Sequence, residues 1–389
     1  MPSLPRIAHL TDLADSTLTP RLVIKVGSSL LVDAAGPRRA WLADLVAEIA
    51  TAKARGQQVI VVSSGAIALG ARRLGLDKGG RGSLADAQAA AAVGQIALSG
   101  LWAELLAAHG LTAAQLLLTL EDLEDRRRYL NATATLGRLL DAGAVPVINE
   151  NDSVATQEIR FGDNDRLAAR VAQAARASAV LLLSDVDGLY DRHPAEPGAK
   201  LLPVVKGVTA EIRAMASPLS GSGMGSGGMV SKLQAAEIAE MAGIALCIAN
   251  GTKDQPIARV VEQGVGTLFL PRGRKAARKA WLGGRLRLKG SITVDDGAAR
   301  ALGQGASLLA AGITAVEGSF QRGDAVTIRN ADGAVLAHGL SEYDAAECAA
   351  LIGHHSSLHA DILGHEPRSA IVHRDQLVMV GPRLRAAGR

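Results

Sequence analysis

Leu22-Val23-Ile24-Lys25-Val26-Gly27-Ser28-Ser29 is a short apolar, β-branched run that closes on a lysine and a Gly-Ser-Ser turn. It reads as a buried strand of the kind found in parallel sheets. A helical pattern over residues 41–55 follows, then a second apolar run over 59–62. The alternation continues outward from there. Residues 115–118, 145–148, 180–183 and 244–248 read as strands, and 83–109, 126–141, 165–175 and 231–242 as helices. Ser83 and Asp86 stand at the spacing of a helix cap. Strands alternating with helices in this way predict an α/β fold: an open, doubly wound, mainly parallel sheet with helices on both faces, ending near Leu270.

Beyond Arg272 the texture changes. Apolar runs over 291–294, 325–328, 334–337 and 370–372 are separated by Gly and Asp turns, which predicts a small β-rich second domain. The expected organisation is a loosely ordered extension over 1–20, an α/β domain over 21–271, a basic linker over 272–289, a β-rich domain over 290–370 and a tail over 371–389.

Composition narrows the class. The 389 residues are 48% hydrophobic but only 2% aromatic, so the cores rest on Ala, Leu, Val and Ile. The two cysteines, Cys247 and Cys348, are far apart and form no ligand pattern, which fits a reducing compartment without disulfides or zinc. The first twenty residues hold no apolar signal core, and no 18 consecutive apolar residues occur, so a soluble cytoplasmic protein is expected. The net charge of +4 is unevenly spread. Residues 272–289 hold eight Lys/Arg and no acid, whereas everything after them is net acidic.

The chemistry-bearing stretch is Gly221-Ser222-Gly223-Met224-Gly225-Ser226-Gly227-Gly228-Met229-Val230-Ser231-Lys232. Its glycines let backbone N–H groups turn toward one point, a helix start adds a positive dipole end, and Lys232 adds a charge. Such a run suits a phosphate. It is not a Walker A sequence, and its Gly-x-Gly-x-x-Gly letters follow no strand. A glycine-rich surface loop has the same composition, so the run alone leaves both readings open.

Ligands of open α/β sheets bind at the carboxyl ends of the strands. Here those ends read Lys25-Val26-Gly27-Ser28-Ser29, Ser63-Ser64-Gly65-Ala66, Asn149-Glu150-Asn151-Asp152 and Ser184-Asp185-Val186-Asp187-Gly188. A buried lysine at a strand end needs an anion, which for Lys25 alone would suggest a structural ion pair. Together with Lys232 it suggests phosphoryl transfer, which needs positioning and charge neutralisation, with magnesium held largely by ATP phosphates. The Asn- and Asp-rich loop from Asn149 to Asp165 suggests an acceptor bearing both amine and carboxylate. Asp152 would pair with an ammonium, and Asn164 and the N–H groups at Ser64-Gly65 would hold carboxylates. A carboxylate acceptor is already ionised and needs no general base, which suits the absence of a placed histidine.

In order and spacing, these motifs, with Gly162-Asp163-Asn164-Asp165, resemble the glutamate 5-kinases (γ-glutamyl kinases) of the amino-acid kinase superfamily. The resemblance covers about residues 20–370. Its last part, with Gly290-Ser291-Ile292-Thr293-Val294-Asp295 and Gly353-His354-His355-Ser356, resembles the PUA domain. The resemblance implies ATP-dependent phosphorylation of the L-glutamate side-chain carboxylate to L-glutamyl 5-phosphate, the first step of proline biosynthesis. It implies L-proline as a feedback inhibitor and a homo-oligomer, dimer or tetramer. Lys25, Lys232 and Asp165 would be catalytic, Asp165 orienting the lysines and magnesium. Ser64, Asp152 and Asn164 would bind glutamate, with Asn149 and Asp163 nearby. Lys25, Ser184, Asp185, Ser226, Gly227, Gly228, Met229, Val230, Ser231 and Lys232 would contact ATP, with no dedicated metal ligands. Ser28, Ser184 and Ser226 stand where threonine is usual, each keeping a hydroxyl.

Two other readings compete. One is a different amino-acid kinase, of the acetylglutamate or uridylate type, for which Asp152 would gain nothing from an acylated amine. The other is RNA binding through the PUA-like domain, supported by the basic segment. The net acidity beyond that segment, with only Phe320 and Tyr343 for stacking, argues against nucleic acid.

Overall fold

The computed structural model describes residues 7–33, 36–154, 163–192, 194–216, 228–272, 288–368 and 370–380. The chain divides into two units, Met1–Arg274 and Lys275–Arg389. In the first, eight strands form one sheet: β1 (Arg21–Val26), β2 (Gln58–Ser63), β3 (Ala113–Leu118), β4 (Val145–Glu150), β5 (Ala179–Ser184), β6 (Val204–Lys206), β7 (Ala245–Asn250) and β8 (Thr267–Leu270). They lie in the order β3-β4-β2-β1-β5-β7-β8-β6. All neighbours are parallel except β7 and β8, so the last two strands, β8 and β6, run against the rest.

The period-two alternation of a strand gives this sheet two cores. Along β1, Leu22, Ile24 and Val26 enter one core and Val23 the other. Val59 and Val61 oppose Ile60 and Val62 in the same way, as Leu181 and Leu183 oppose Val180 and Leu182. The first face is covered by α1 (Arg39–Ala54), α2 (Ala66–Leu74), α3 (Leu84–Ala107) and α7 (Pro256–Gln263). The second is covered by α4 (Arg126–Asp141), α5 (Asp163–Ala174) and α6 (Gly228–Ala242). The expected mainly parallel, doubly wound sheet is what forms. The short strands β6 and β8 carried too little pattern to be read in advance.

Residues 10–19 are tied down, contrary to the expectation of a loose extension. Leu10 and Leu13 enter the first core, and the buried Gln57 Nε2 donates to the carbonyls of Leu13 and Thr19 at 2.9 and 2.8 Å. Leu10 and Leu13, set among polar neighbours, are too few to give a periodic signal.

Helix α3 begins as expected, with Ser83 Oγ accepting the Asp86 N–H at 3.0 Å. By length and composition it is apolar enough to cross a membrane. Its buried residues Ala87, Ala90, Gly94, Leu98 and Trp102 instead pack inside the unit. It crosses α2 at Gly70 and Gly94, where a Cβ would lie 1.7 Å from Ala90 O and 1.8 Å from Ala66 O. Only glycine allows that approach.

The second unit holds β9 (Leu288–Val294), β10 (Ile313–Gly318), β11 (Ala325–Asn330), β12 (Val335–Leu340) and β13 (Leu377–Met379), in the order β10-β9-β11-β12-β13. Its core is separate and includes Ile292, Phe320, Ile328 and Tyr343. The run 370–372, expected as a strand, is buried but makes only an isolated bridge from Val372 to Leu308. Leu377–Met379, which the sequence reading left in the tail, closes the sheet instead. The glycine run 221–227, the loop 155–162 and the basic segment 273–287 lie outside the described residues.

Candidate active site

The site forms at the carboxyl ends of four adjacent strands, β4, β2, β1 and β5. Chain connections run to opposite sides of β1 and β5, which makes their junction the topological switch point of the sheet. Alternation along β1 puts Lys25 on the face of Val23, toward α5 and α6. There Lys25 Nζ meets Asp165 Oδ1 at 2.5 Å, and Lys232 Nζ meets Asp165 Oδ2 at 3.2 Å. The Ser231 hydroxyl donates to the same Oδ2 at 3.0 Å. All four residues are buried, Asp165 to 1% exposure.

Two ammonium groups on one carboxylate leave a buried net charge of +1, and desolvating it is costly unless an anion joins. Burial would raise the Asp165 pKa, but the Lys25 and Lys232 charges override it and hold the carboxylate at about 2. Burial pulls the Lys25 ammonium below its usual value; Asp165 opposes that and Lys232 adds to it. The first turn of α6 supports the same preference for an anion. It begins at Gly228, where a Cβ would meet nothing within 4 Å, and carries Lys232 one turn in. Met229 is half-buried and Val230 is 45% exposed. On the neighbouring strand end, the buried Ser184 Oγ accepts the Val186 N–H at 3.4 Å. The Asp185 charge acts on Lys25. Ser226 and Gly227, expected at ATP, lie outside the described residues.

The other half of the site starts one residue away. Asn164 precedes Asp165 on α5 and so faces about 100° round the helix, toward β2 and β4. Its Nδ2 donates to Ser64 Oγ at 2.7 Å and to Asn149 Oδ1 at 3.2 Å. Asp152 is buried to 8% exposure, and its charge acts on the Arg81 guanidinium, whose pKa is lowered by desolvation. Asp163 opens α5. The expectation that the Ser64 N–H would bind a carboxylate fails, because that N–H donates to Val26 O at 3.2 Å. The turn continues to Gly65, whose left-handed φ of 101° caps α2, and the first N–H groups of a helix have no partner within it.

One participant escaped the sequence reading. Gln95, on α3, accepts from Asn149 Nδ2 at 2.9 Å. The signal available was one of two glutamines, Gln88 and Gln95, in a long alanine-rich helix, and nothing local tied it to strand β4.

Among the described residues no cluster of three His, Cys, Asp or Glu could hold a metal ion, and both Asp165 oxygens carry an ammonium. This donor set fits a divalent ion carried by a polyphosphate rather than caged by the protein.

A doubly wound sheet with a cationic, carboxylate-tethered pair at its switch point defines an α/β phosphate-handling enzyme class. The sequence pattern of the amino acid kinase family matches residues 20–250, and that of the PUA domain matches residues 290–363. The chain is 71% identical to a glutamate 5-kinase of Novosphingobium aromaticivorans over 376 residues, 96% of this chain and all of the relative. It is 62% identical to a glutamate 5-kinase of Sphingopyxis alaskensis, over 93% of this chain and 98% of that one. A glutamate 5-kinase of Zymomonas mobilis is 56% identical over 93% of this chain and 91% of its own length. The chain therefore belongs to the amino acid kinase family and, within it, to the glutamate 5-kinases.

Proposed function

We propose that this chain transfers the γ-phosphoryl group of ATP to the side-chain carboxylate of L-glutamate, forming L-glutamyl 5-phosphate and ADP, the first step of proline biosynthesis. The observation that carries the reading is the convergence of Lys25 and Lys232 on Asp165. Phosphoryl transfer puts charge on the equatorial oxygens of the moving group, and preorganised cations stabilise that charge. Asp165 holds the two ammonium groups a fixed distance apart, so they need no reorganisation when the phosphoryl group passes. ATP lies toward Lys25, Ser184, Asp185 and the run Ser226–Lys232, and Mg2+ rides on its phosphates and neutralises part of their charge. The glutamate carboxylate attacks as the ion, so no side chain has to remove a proton.

Glutamate lies toward Ser64, Asn149, Asp152 and Asn164, with Asp163 beside them. Asp152 pairs with the α-ammonium, and the amides from Gly65 onward supply donors for carboxylate oxygens. L-Proline carries the same ammonium–carboxylate pair and competes for those groups, which accounts for feedback inhibition. The enzyme acts as a homo-oligomer, dimer or tetramer, on water-soluble substrates in the cytoplasm.

A coupled assay of ADP release on glutamate, N-acetylglutamate and UMP, each with and without proline, tests this function. Turnover of glutamate alone, reduced by proline, is expected. Preference for either other acceptor would overturn the assignment.

A further inference from the structure

Four side-chain amides and hydroxyls connect α3 to the start of α5, and a single backbone group fixes how all of them are turned. The Glu150 N–H donates to the Asn149 side chain at 2.9 Å. A backbone N–H is only ever a donor, so the atom it meets is the Asn149 oxygen. Asn149 Nδ2 therefore faces α3, where Gln95 must present its oxygen, at 2.9 Å. Asn164 meets the same Asn149 oxygen at 3.2 Å and must present its nitrogen, whose other hydrogen goes to Ser64 Oγ at 2.7 Å. Every orientation follows from the first. What remains is Asn164 Oδ1, which is shielded from solvent and has no hydrogen-bond partner among the described residues. Buried oxygens are nearly always paired, so an orphan beside a substrate site marks the place of a donor the ligand brings.

We propose that Gln95 is a positioning residue for the acceptor subsite, and that through Asn149 it turns Asn164 so that its side-chain oxygen accepts from the substrate's α-ammonium. This rests on the glutamate kinase reading and deepens it. The sequence reading gave Asn164 a carboxylate; the amide order gives it the opposite charge. Asp152 supplies charge to the ammonium, and Asn164 supplies direction. An ammonium has three N–H donors, so the two acceptors do not compete. Without the Gln95 oxygen, the buried Asn149 Nδ2 is left unpaired and its amide is held by the Glu150 N–H alone, so it tilts about that one bond and Asn164 shifts with it.

Glutarate, which has both carboxylates of glutamate but no ammonium, separates the alternatives. Gln95→Leu should raise the glutamate KM about tenfold, the scale of one hydrogen bond to a charged group. Its kcat, its ATP KM and the inhibition constant of glutarate should stay within about twofold. Gln95→Glu keeps an acceptor facing Asn149 and should restore the glutamate KM to near the wild-type value. Asn164→Ala should weaken glutamate while leaving glutarate unchanged, which keeps the test alive if Gln95→Leu does not fold. Parallel loss of glutamate and glutarate in either variant would overturn the proposal, as would identical behaviour of Gln95→Leu and Gln95→Glu. A wild-type enzyme that fails to turn over glutamate with ATP is a different result, and overturns the functional reading itself.

Discussion

Asp165 is one carboxylate asked to hold two buried ammonium groups, and its ionisation bears on stability. Its pKa, about 2, lies below the ordinary 3.8. A depressed carboxylate contributes stability that is whole above its unfolded value and fades as pH falls through the folded one. The contribution is about 2 kcal/mol at neutral pH, lost from about pH 4 down toward 2. The difference in unfolding free energy between wild type and Asp165→Asn, measured by denaturant titration, should therefore shrink over that window; a constant difference would contradict the linkage. Removing one cation acts on rate instead. Lys232→Ala should lower kcat by about 10²–10³ as a preorganised charge is lost, and an unchanged kcat in stopped or continuous assays would remove Lys232 from the mechanism. Asp152→Ala should chiefly raise the glutamate KM. At this scale much was legible: Lys25, Lys232, Ser64 and Asn164 sit at strand ends or helix starts, where polarity conflicts with burial. Gln95 was not legible, because its partner Asn149 is 54 residues away and helix α3 offers no local conflict. The Ser64 N–H was misjudged because strand pairing to Val26 is a tertiary fact.

At the scale of elements, the site depends on how closely α2 and α3 cross. Gly94 directly precedes Gln95, and a methyl group there would lie 2.6 Å from Gly70 N as well as against Ala66 O. The helices have to part, and Gln95 moves with them. Gly94→Ala should destabilise the first unit by about 1–3 kcal/mol, as overpacking does, and should also raise the glutamate KM while leaving the ATP KM alone. Thermal melts and steady-state kinetics on one preparation check both parts. A stable variant with normal glutamate affinity would show that α3 does not set the subsite. Helix α3 is anchored from the other side too, where the buried Trp102 Nε1 donates to Ser63 Oγ at 2.9 Å, next to Ser64. The alternating strands and helices were readable because burial on both faces leaves β-branched runs between long helical periods. Strands β6 and β8 have three and four residues, too few for any period to register.

For the molecule as a whole, the cores and the chemistry are divided unequally. The described candidate site residues all belong to the first unit, while the second has its own core. Phe320 and Tyr343, the aromatics that base stacking would need, are 2% and 1% exposed within that core. A fold in which each unit buries its own apolar surface should unfold in two steps, and only a unit that binds ligand gains from mass action. A non-hydrolysable ATP analogue at about 100 times its Kd adds about 2.7 kcal/mol to the first unit. That shifts its midpoint by roughly 5–10 °C for a unit of this size. Scanning calorimetry of the full chain should show one transition moving and one standing still. Two transitions that climb together would mean that ligand energy reaches the second unit, and the division of labour drawn from the separate cores would fall.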